Sequence, residues 1–336
     1  MRHSPLVLTP VWKAIARSVT GVGHLRQSMP CQDYSRYHQL KGGVLIGAVA
    51  DGAGSAQYSQ RGAQLVVESS LAYLQRWENF GYRRRLKLLP WLMAIAEPKR
   101  RAFFEKLLRF LRRQLRELSQ LEGISLDSLA STLLVFVASR EGIVAMQVGD
   151  GFLVVRSTPD HYQLLFQPDK GEYFNETTFV TSSQASQALQ TCCYPQPVQF
   201  ICAATDGLEK VAIKFQDWSA FAPFFQPLEA FLRETQDPEA NPDYLEQFLH
   251  SERLNQRTQD DKTLLLALAP PPPKPLPRRS APQRSTPKSL APKKHHAPDQ
   301  VLLTEDSLTG KSGRDIWAGG LGEQGKSGGE SAPWLL

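Results

Sequence analysis

Gly42-Gly43-Val44-Leu45-Ile46-Gly47-Ala48-Val49-Ala50-Asp51-Gly52 sets seven apolar or small residues between two glycine-bearing turns. A run this short, with β-branched residues and turn formers at both ends, predicts a buried strand over Val44–Ala50. The strand stops on an acid. The same ending recurs at Gln147-Val148-Gly149-Asp150-Gly151 and at Ala204-Thr205-Asp206-Gly207. A further acidic pair, Gln259-Asp260-Asp261-Lys262-Thr263, leads into a strand instead.

An isolated Asp-Gly after a strand is an ordinary tight turn, because Asp bonds its own backbone and Gly accepts positive φ. Several acids at strand ends ask for more. If those ends gather at one edge, the carboxylates repel one another and the place needs a cation. Hard divalent ions such as Mg²⁺ or Mn²⁺ take oxygen ligands: carboxylates, carbonyls and water. A glycine beside the acid lets a backbone carbonyl come close.

Around the first strand the elements segregate. Tyr58 to Trp77 and Lys99 to Leu118 carry apolar residues at helical spacing. The second helix presents Lys106, Arg109, Arg112, Arg113 and Arg116 on its other side. Such a stripe is usually the solvated face of a packed helix. Ser131–Ser139, Ile143–Val148, Phe152–Arg156, Val198–Thr205 and Thr263–Ala269 predict further strands. Strand runs joined by short turns, with the long helices in one block, indicate an α+β layout with antiparallel pairing.

Residues 1–269 form the expected globular part. From Pro270 to His296 the chain is mostly Pro, Lys, Arg, Ser and Ala, and Ser307 to Ser331 is rich in Gly and Ser. Such composition cannot bury enough apolar surface to offset chain entropy, so 270–336 is expected to be a disordered tail. The net charge of +6 over 336 residues resides largely there, in Lys274, Arg278, Arg279, Arg284, Lys288, Lys293 and Lys294. The folded part is near neutral, and nucleic acid is not the expected partner. The four cysteines show neither CxxC spacing nor a disulfide framework, which fits a reduced, cytoplasmic protein. The segment Met1 to Trp12 lacks the pattern of a secretion signal, and no apolar run is long enough for a membrane span.

Taken in order, His24…Pro30-Cys31-Gln32-Asp33, Ala50-Asp51-Gly52-Ala53-Gly54-Ser55, Ser131-Thr132, Gly149-Asp150-Gly151, Thr205-Asp206-Gly207 and Asp260-Asp261-Lys262-Thr263 resemble the bacterial branch of protein phosphatase 2C. The resemblance spans about residues 16–268. It implies a four-layer sandwich of two antiparallel β-sheets flanked by α-helices, with the active site at one edge. It implies a metal-dependent phosphatase acting on phosphoserine and phosphothreonine in proteins, with two Mn²⁺ or Mg²⁺ ions and a place for a third. Asp51 would bridge two ions and the Gly52 carbonyl would serve one. Asp206 and Asp260 would complete the other, Asp150 would serve the third, and Asp33 would steady bound water. Water lying between two such ions would attack phosphorus in line.

The family pattern is broken at two places. Ala53 stands where many members have a His that protonates the leaving alcohol. Ser28 stands where eukaryotic members have an Arg that captures phosphate, a task expected here of Arg26, whose guanidinium suits bidentate phosphate binding. For His24 a structural hydrogen bond is expected. Gln32 replaces a common Glu, and Asp261 a common Asn. The alternative is a pseudophosphatase, the same fold used as a binding module, which Ala53 and Ser28 favour and the retained aspartates oppose. Residues 168–176 match a flap near the substrate groove. The Pro-rich start and the Trp334-Leu335-Leu336 end of the tail would suit docking to a partner.

Overall fold

In the computed structural model, residues 11–83, 87–166 and 177–271 are described. The chain enters at β1 (Lys13–Val19), turns through the short helix α1 (Val22–Arg26), and continues into β2 (Tyr34–Leu40) and β3 (Val44–Ala50). Helices α2 (Ser59–Arg83), α3 (Leu88–Ala94) and α4 (Glu97–Glu122) follow as one block. Then come β4 (Leu133–Ser139), β5 (Gly142–Val148), β6 (Phe152–Thr158) and β7 (His161–Leu164). After α5 (Ala185–Ala188) are β8 (Gln190–Tyr194) and β9 (Phe200–Ala204). A small unit of α6 (Glu209–Ala212), β10 (Ile213–Lys214), β11 (Ser219–Ala220), α7 (Ala222–Glu234), α8 (Asp243–Leu249) and α9 (Glu252–Asn255) precedes the last strand, β12 (Lys262–Leu268).

Two five-stranded sheets carry the fold, ordered β1-β12-β9-β6-β7 and β2-β3-β4-β5-β8, with antiparallel pairing throughout. The period of two decides which layer each side chain joins. Along β3, Leu45 and Val49 face the other sheet, where they meet Phe136, Leu153, Ile201 and Leu265. Val44, Ile46, Ala48 and Ala50 face outward and pack under α2, α3 and α4 with Leu71, Phe104 and Leu111. On the second sheet Leu264, Leu266 and Cys202 lie under Phe225, Leu228 and Leu249 of α7 and α8. The layers are therefore helix, sheet, sheet, helix, as expected.

Strand β3 occupies the predicted bounds, and the two long helices extend a few residues past theirs. Strands β1 and β2 were not predicted. Both lie at sheet edges, so β2 alternates half-buried and exposed residues and lacks an apolar run. Side chains join the sheets where these edges meet. The Gln39 amide accepts from the Trp12 N–H at 3.0 Å and donates to its carbonyl at 2.9 Å, and the Tyr37 hydroxyl donates to the Ala14 carbonyl at 2.9 Å.

The basic face of α4 is solvated at Lys106, Arg109, Arg113 and Arg116, whereas Arg112 is half-buried. Arg101 donates to the carbonyls of Leu189 at 2.7 Å and Ser186 at 2.8 Å, anchoring the segment before β8. All four cysteines are free. Of the expected tail, 270–336, only Pro270 and Pro271 belong to the described residues, and 168–176 lies outside them. Among the described residues no helix is long and apolar enough to cross a membrane.

One charged network is sealed inside. Glu229 of α7 accepts from Arg156 of β6 at 2.6 and 2.5 Å, from the Tyr162 hydroxyl at 2.8 Å, and from Arg233 at 3.0 Å. Arg156 and Glu229 are each 3% exposed. Removing one partner strands the other charge in a poor solvent. Glu229→Ala should lose about 3–5 kcal/mol in urea unfolding. Replacing Arg156 and Glu229 together by Leu should recover part of that loss.

Candidate active site

Register brings the acids to one end of the sandwich. In one sheet Ala204 pairs with Phe152 and with Leu264, so the end of β9 lies beside the starts of β6 and β12. Asp150 and Asp206 are each the second residue beyond those paired positions, and Asp260 is the fourth. In the other sheet Val49 pairs with Leu134 and Val148 with Leu133, which sets the ends of β3 and β5 on either side of the start of β4. Gly149-Asp150-Gly151 carries the chain from β5 of one sheet to β6 of the other, so both sheets share this end. Tyr34 pairs with Ala50, which adds Asp33 to the group.

Threonines beside the acids fix them. The Asp51 N–H donates to the Thr132 hydroxyl at 2.9 Å, the Thr132 N–H donates to the Asp51 carbonyl at 2.8 Å, and Gly52 bridges to Ser131. Thr205 and Thr263 donate to the same oxygen of Asp33, at 2.7 and 2.8 Å. Among the described residues no N–H or O–H donor reaches the other oxygen, Oδ1. Thr177 donates to Asp150 at 2.6 Å. The sequence does not show this, because Thr132, Thr177, Thr205 and Thr263 lie far along the chain from the acids they bond.

The acids feel one another. Burial pushes the Asp51 carboxyl well up, with the charges of Asp33, Asp206 and Asp260 adding to it. Asp206 is pushed up to about 8 by burial and by Asp150, Asp260 and Asp33. Asp33 is pushed up to about 7 by burial, which outweighs its hydrogen bonds to Asp51, Thr205 and Thr263. Like charges withdrawn from water in this way favour any positive charge placed among them. In chemistry the donor set fits a hard divalent ion: carboxylates from four strand ends and the carbonyl of Gly52. Among the described residues no group of three or more His, Cys, Asp or Glu side chains stands placed to hold an ion. The structure thus gives the donor set and its address, and no ligand geometry.

The remaining residues are placed as follows. Asp260 is exposed, while Asp33 and Asp150 are buried. Arg26 ends α1 in an exposed position, and no ion pair joins it to the acids among the described residues. His24 makes the expected structural hydrogen bond, from Nδ1 to Asp261 at 2.9 Å. Ala53 fills a small apolar cluster with Ala56, Ala130 and Phe179. The buried amine of Lys262 donates to the Asn255 side chain at 3.0 Å, and burial pushes its pKa down. Three backbones converge here with almost no clearance. A Cβ on Gly207 would lie 1.9 Å from the Asp261 carbonyl oxygen, and one on Gly21 would lie 2.2 Å from the Asp260 carbonyl carbon. No side chain fits at either place.

The raised carboxyls have a consequence for stability. In the unfolded chain these groups ionise near pH 4, while in the fold Asp33 and Asp206 hold their protons to about 7 and 8. Between those limits the folded form binds more protons, so its stability falls as pH rises. With a chelator present, the urea midpoint should drop from pH 5 to pH 8. Asp206→Asn, which removes one titrating carboxyl, should flatten that slope.

A family model, protein phosphatase 2C, matches residues 20–250. The serine/threonine-protein phosphatase 3 of Escherichia coli strain K12 is 32% identical over 265 residues, covering 76% of this chain and 98% of that protein. A Streptococcus agalactiae serine/threonine phosphatase structure superposes with a TM-score of 0.52 at 14% identity, covering 76% of this chain and 99% of that one. A crystal structure of a bacterial serine phosphatase gives 0.51 at 13% identity, with 76% and 97% covered. The structural likenesses bear on the fold alone. The family model over residues 20–250 agrees with the E. coli relative, and the chain belongs to the protein phosphatase 2C family.

Proposed function

We propose that this protein is a metal-dependent serine/threonine protein phosphatase of the cytoplasm, working at the acidic end of the sandwich. The observation that carries the reading is the gathering of Asp33, Asp51, Asp206 and Asp260 at one end of both sheets. Burial, with the charges of Asp33, Asp206 and Asp260, pushes the Asp51 carboxyl well up. The E. coli relative, matched over 98% of its length, is itself a serine/threonine-protein phosphatase. No particular feature of the fold favours a pseudophosphatase.

Asp51, the Gly52 carbonyl, Asp206 and Asp260 would hold two Mn²⁺ or Mg²⁺ ions, with Asp150 toward a third. When bound, such ions acidify water and draw charge from a phosphoryl group. The chain's own part is to hold and orient. Thr132 keeps the Asp51 backbone from both sides, so the carboxylate projects from a rigid turn. Thr205 and Thr263 occupy one oxygen of Asp33 and leave Oδ1 to accept from a water. Exposed Arg26 would meet the phosphate of a phosphorylated protein. With Ala53 in an apolar cluster, no His is available at that position to protonate the leaving alcohol. Turnover should therefore lack the roughly 10²–10⁴-fold that general acid help supplies. Residues 270–336 would serve as a docking arm for a partner.

The test is phosphate release from an aryl phosphate and from a phosphothreonine peptide by the full chain. Activity should vanish with a chelator and return with Mn²⁺. Asp51→Ala should lose more than the roughly 10–100-fold typical of an outer-shell change. An Asp51→Ala protein as active as the parent would overturn the reading. Arg26→Ala should raise KM severalfold and leave kcat nearly unchanged.

A further inference from the structure

We propose that Asp261 is a positioning residue: its carboxylate is the clasp that holds the Asp33 loop against the strand bearing Asp260. It is not itself a metal ligand. The consequence for metal binding rests on the phosphatase reading, while the clasp can be measured without it.

Asp261 is 2% exposed, and both its oxygens are engaged. Oδ1 accepts from the Gly21 N–H at 2.7 Å and from His24 Nδ1 at 2.9 Å. Oδ2 accepts from the Gln32 N–H at 2.5 Å. All these donors lie in the segment between β1 and β2, more than two hundred residues away in sequence. Elsewhere in the segment, Thr205 and Thr263 hold Asp33 at its end. Helix α1 has five residues, none of them buried, and no side-chain cap. Apart from the Asp261 bonds, the Gly23 N–H donates to the Gln259 carbonyl at 2.8 Å.

The clasp lies between two residues of the proposed site. Asp260 precedes Asp261, and Asp33 follows Gln32. Fixing Asp261 to Gln32 therefore fixes the separation of Asp260 and Asp33. The tight approach of Gly21 to Asp260 and of Gly207 to Asp261 allows this short span. It places Asp206, one residue from Gly207, at the same junction. Donor chemistry argues against a ligand role. An oxygen already accepting two hydrogen bonds has no lone pair to offer a metal, and the other oxygen has one left. A carboxylate is also specifically required. The amide of Asn has a single acceptor, so its NH₂ would confront either the Gln32 N–H or the Gly21 and His24 donors.

The test uses the full chain as parent, Asp261→Asn and Asp260→Asn. Amide hydrogen exchange is followed in metal-free protein, and Mn²⁺ alone is titrated by calorimetry. In Asp261→Asn, the amides of residues 21–32 should exchange at least about tenfold faster, with exchange elsewhere unchanged. The same number of Mn²⁺ ions should bind, about 10–100-fold more weakly. Asp260→Asn should bind fewer ions with residues 21–32 still protected. Parental exchange in Asp261→Asn would overturn the proposal, as would loss of an ion with protection intact. If the parent binds no Mn²⁺, the phosphatase reading fails and the exchange rates still decide the clasp. If Asp261→Asn does not fold, His24→Ala carries the test, since it removes one donor and leaves the main-chain bonds. Exchange at Gly21 should then rise severalfold, and an unchanged rate would overturn the proposal.

Discussion

Electrostatic repulsion among carboxylates is the constraint that the rest of this structure answers. Asp33, Asp51, Asp150, Asp206 and Asp260 would separate if the chain were free to let them. Burial makes their company more costly still, since low polarity strengthens repulsion and removes hydration. The sandwich supplies the restraint. Its core packs on three levels: between the sheets, under α2 to α4, and under α7 and α8. Antiparallel register then fixes which residues stand at each end. The acids are held where hydrogen bonding and packing put them, which is the general condition of a preorganised site.

Hydroxyl groups do the fine work. Each acid follows or precedes a strand end, and for Asp33, Asp51 and Asp150 a threonine from elsewhere in the chain bonds the backbone or the carboxylate. Thr132 does this for Asp51, Thr205 and Thr263 for Asp33, and Thr177 for Asp150. Threonine suits the task because it belongs in strands and carries a donor with a stiff χ1. Of these threonines only Thr263 lies within a strand, while Thr132 and Thr205 sit immediately outside β4 and β9.

What the sequence could disclose follows from locality. Val44–Ala50 is apolar on both faces and bracketed by turns, so its bounds were legible, and so was the acid at its end. The amphipathic helices were legible because their period is internal to one segment. Strands β1 and β2 were not, since an edge strand shows half its side chains to solvent and has no apolar run to announce it. The order of Asp51, Asp150, Asp206 and Asp260 suggested a shared end, but only register places them there. Asp261 was harder. Its neighbourhood reads equally as a turn or as negative charge favouring a nearby cation, and its partners Gly21, His24 and Gln32 become visible only when the chain is folded. The guanidinium of Arg26 suits phosphate, but its exposed place at the end of α1 shows no bond to the acids among the described residues.

The pairing of β1 with β12 runs the full seven residues, Lys13 opposite Leu268 and Val19 opposite Lys262. β12 also lies between β1 and β9, so the first strand has no ladder partner until the last has been made. Contacts of such long sequence separation form late and slowly. A nascent chain on the ribosome therefore carries Asp33 and Asp51 for most of its synthesis without the strand that completes their surroundings. Whatever chemistry this end of the sandwich performs, it is withheld from every copy whose β12 has not been made, and the cell meets the activity only in molecules that have closed their first sheet.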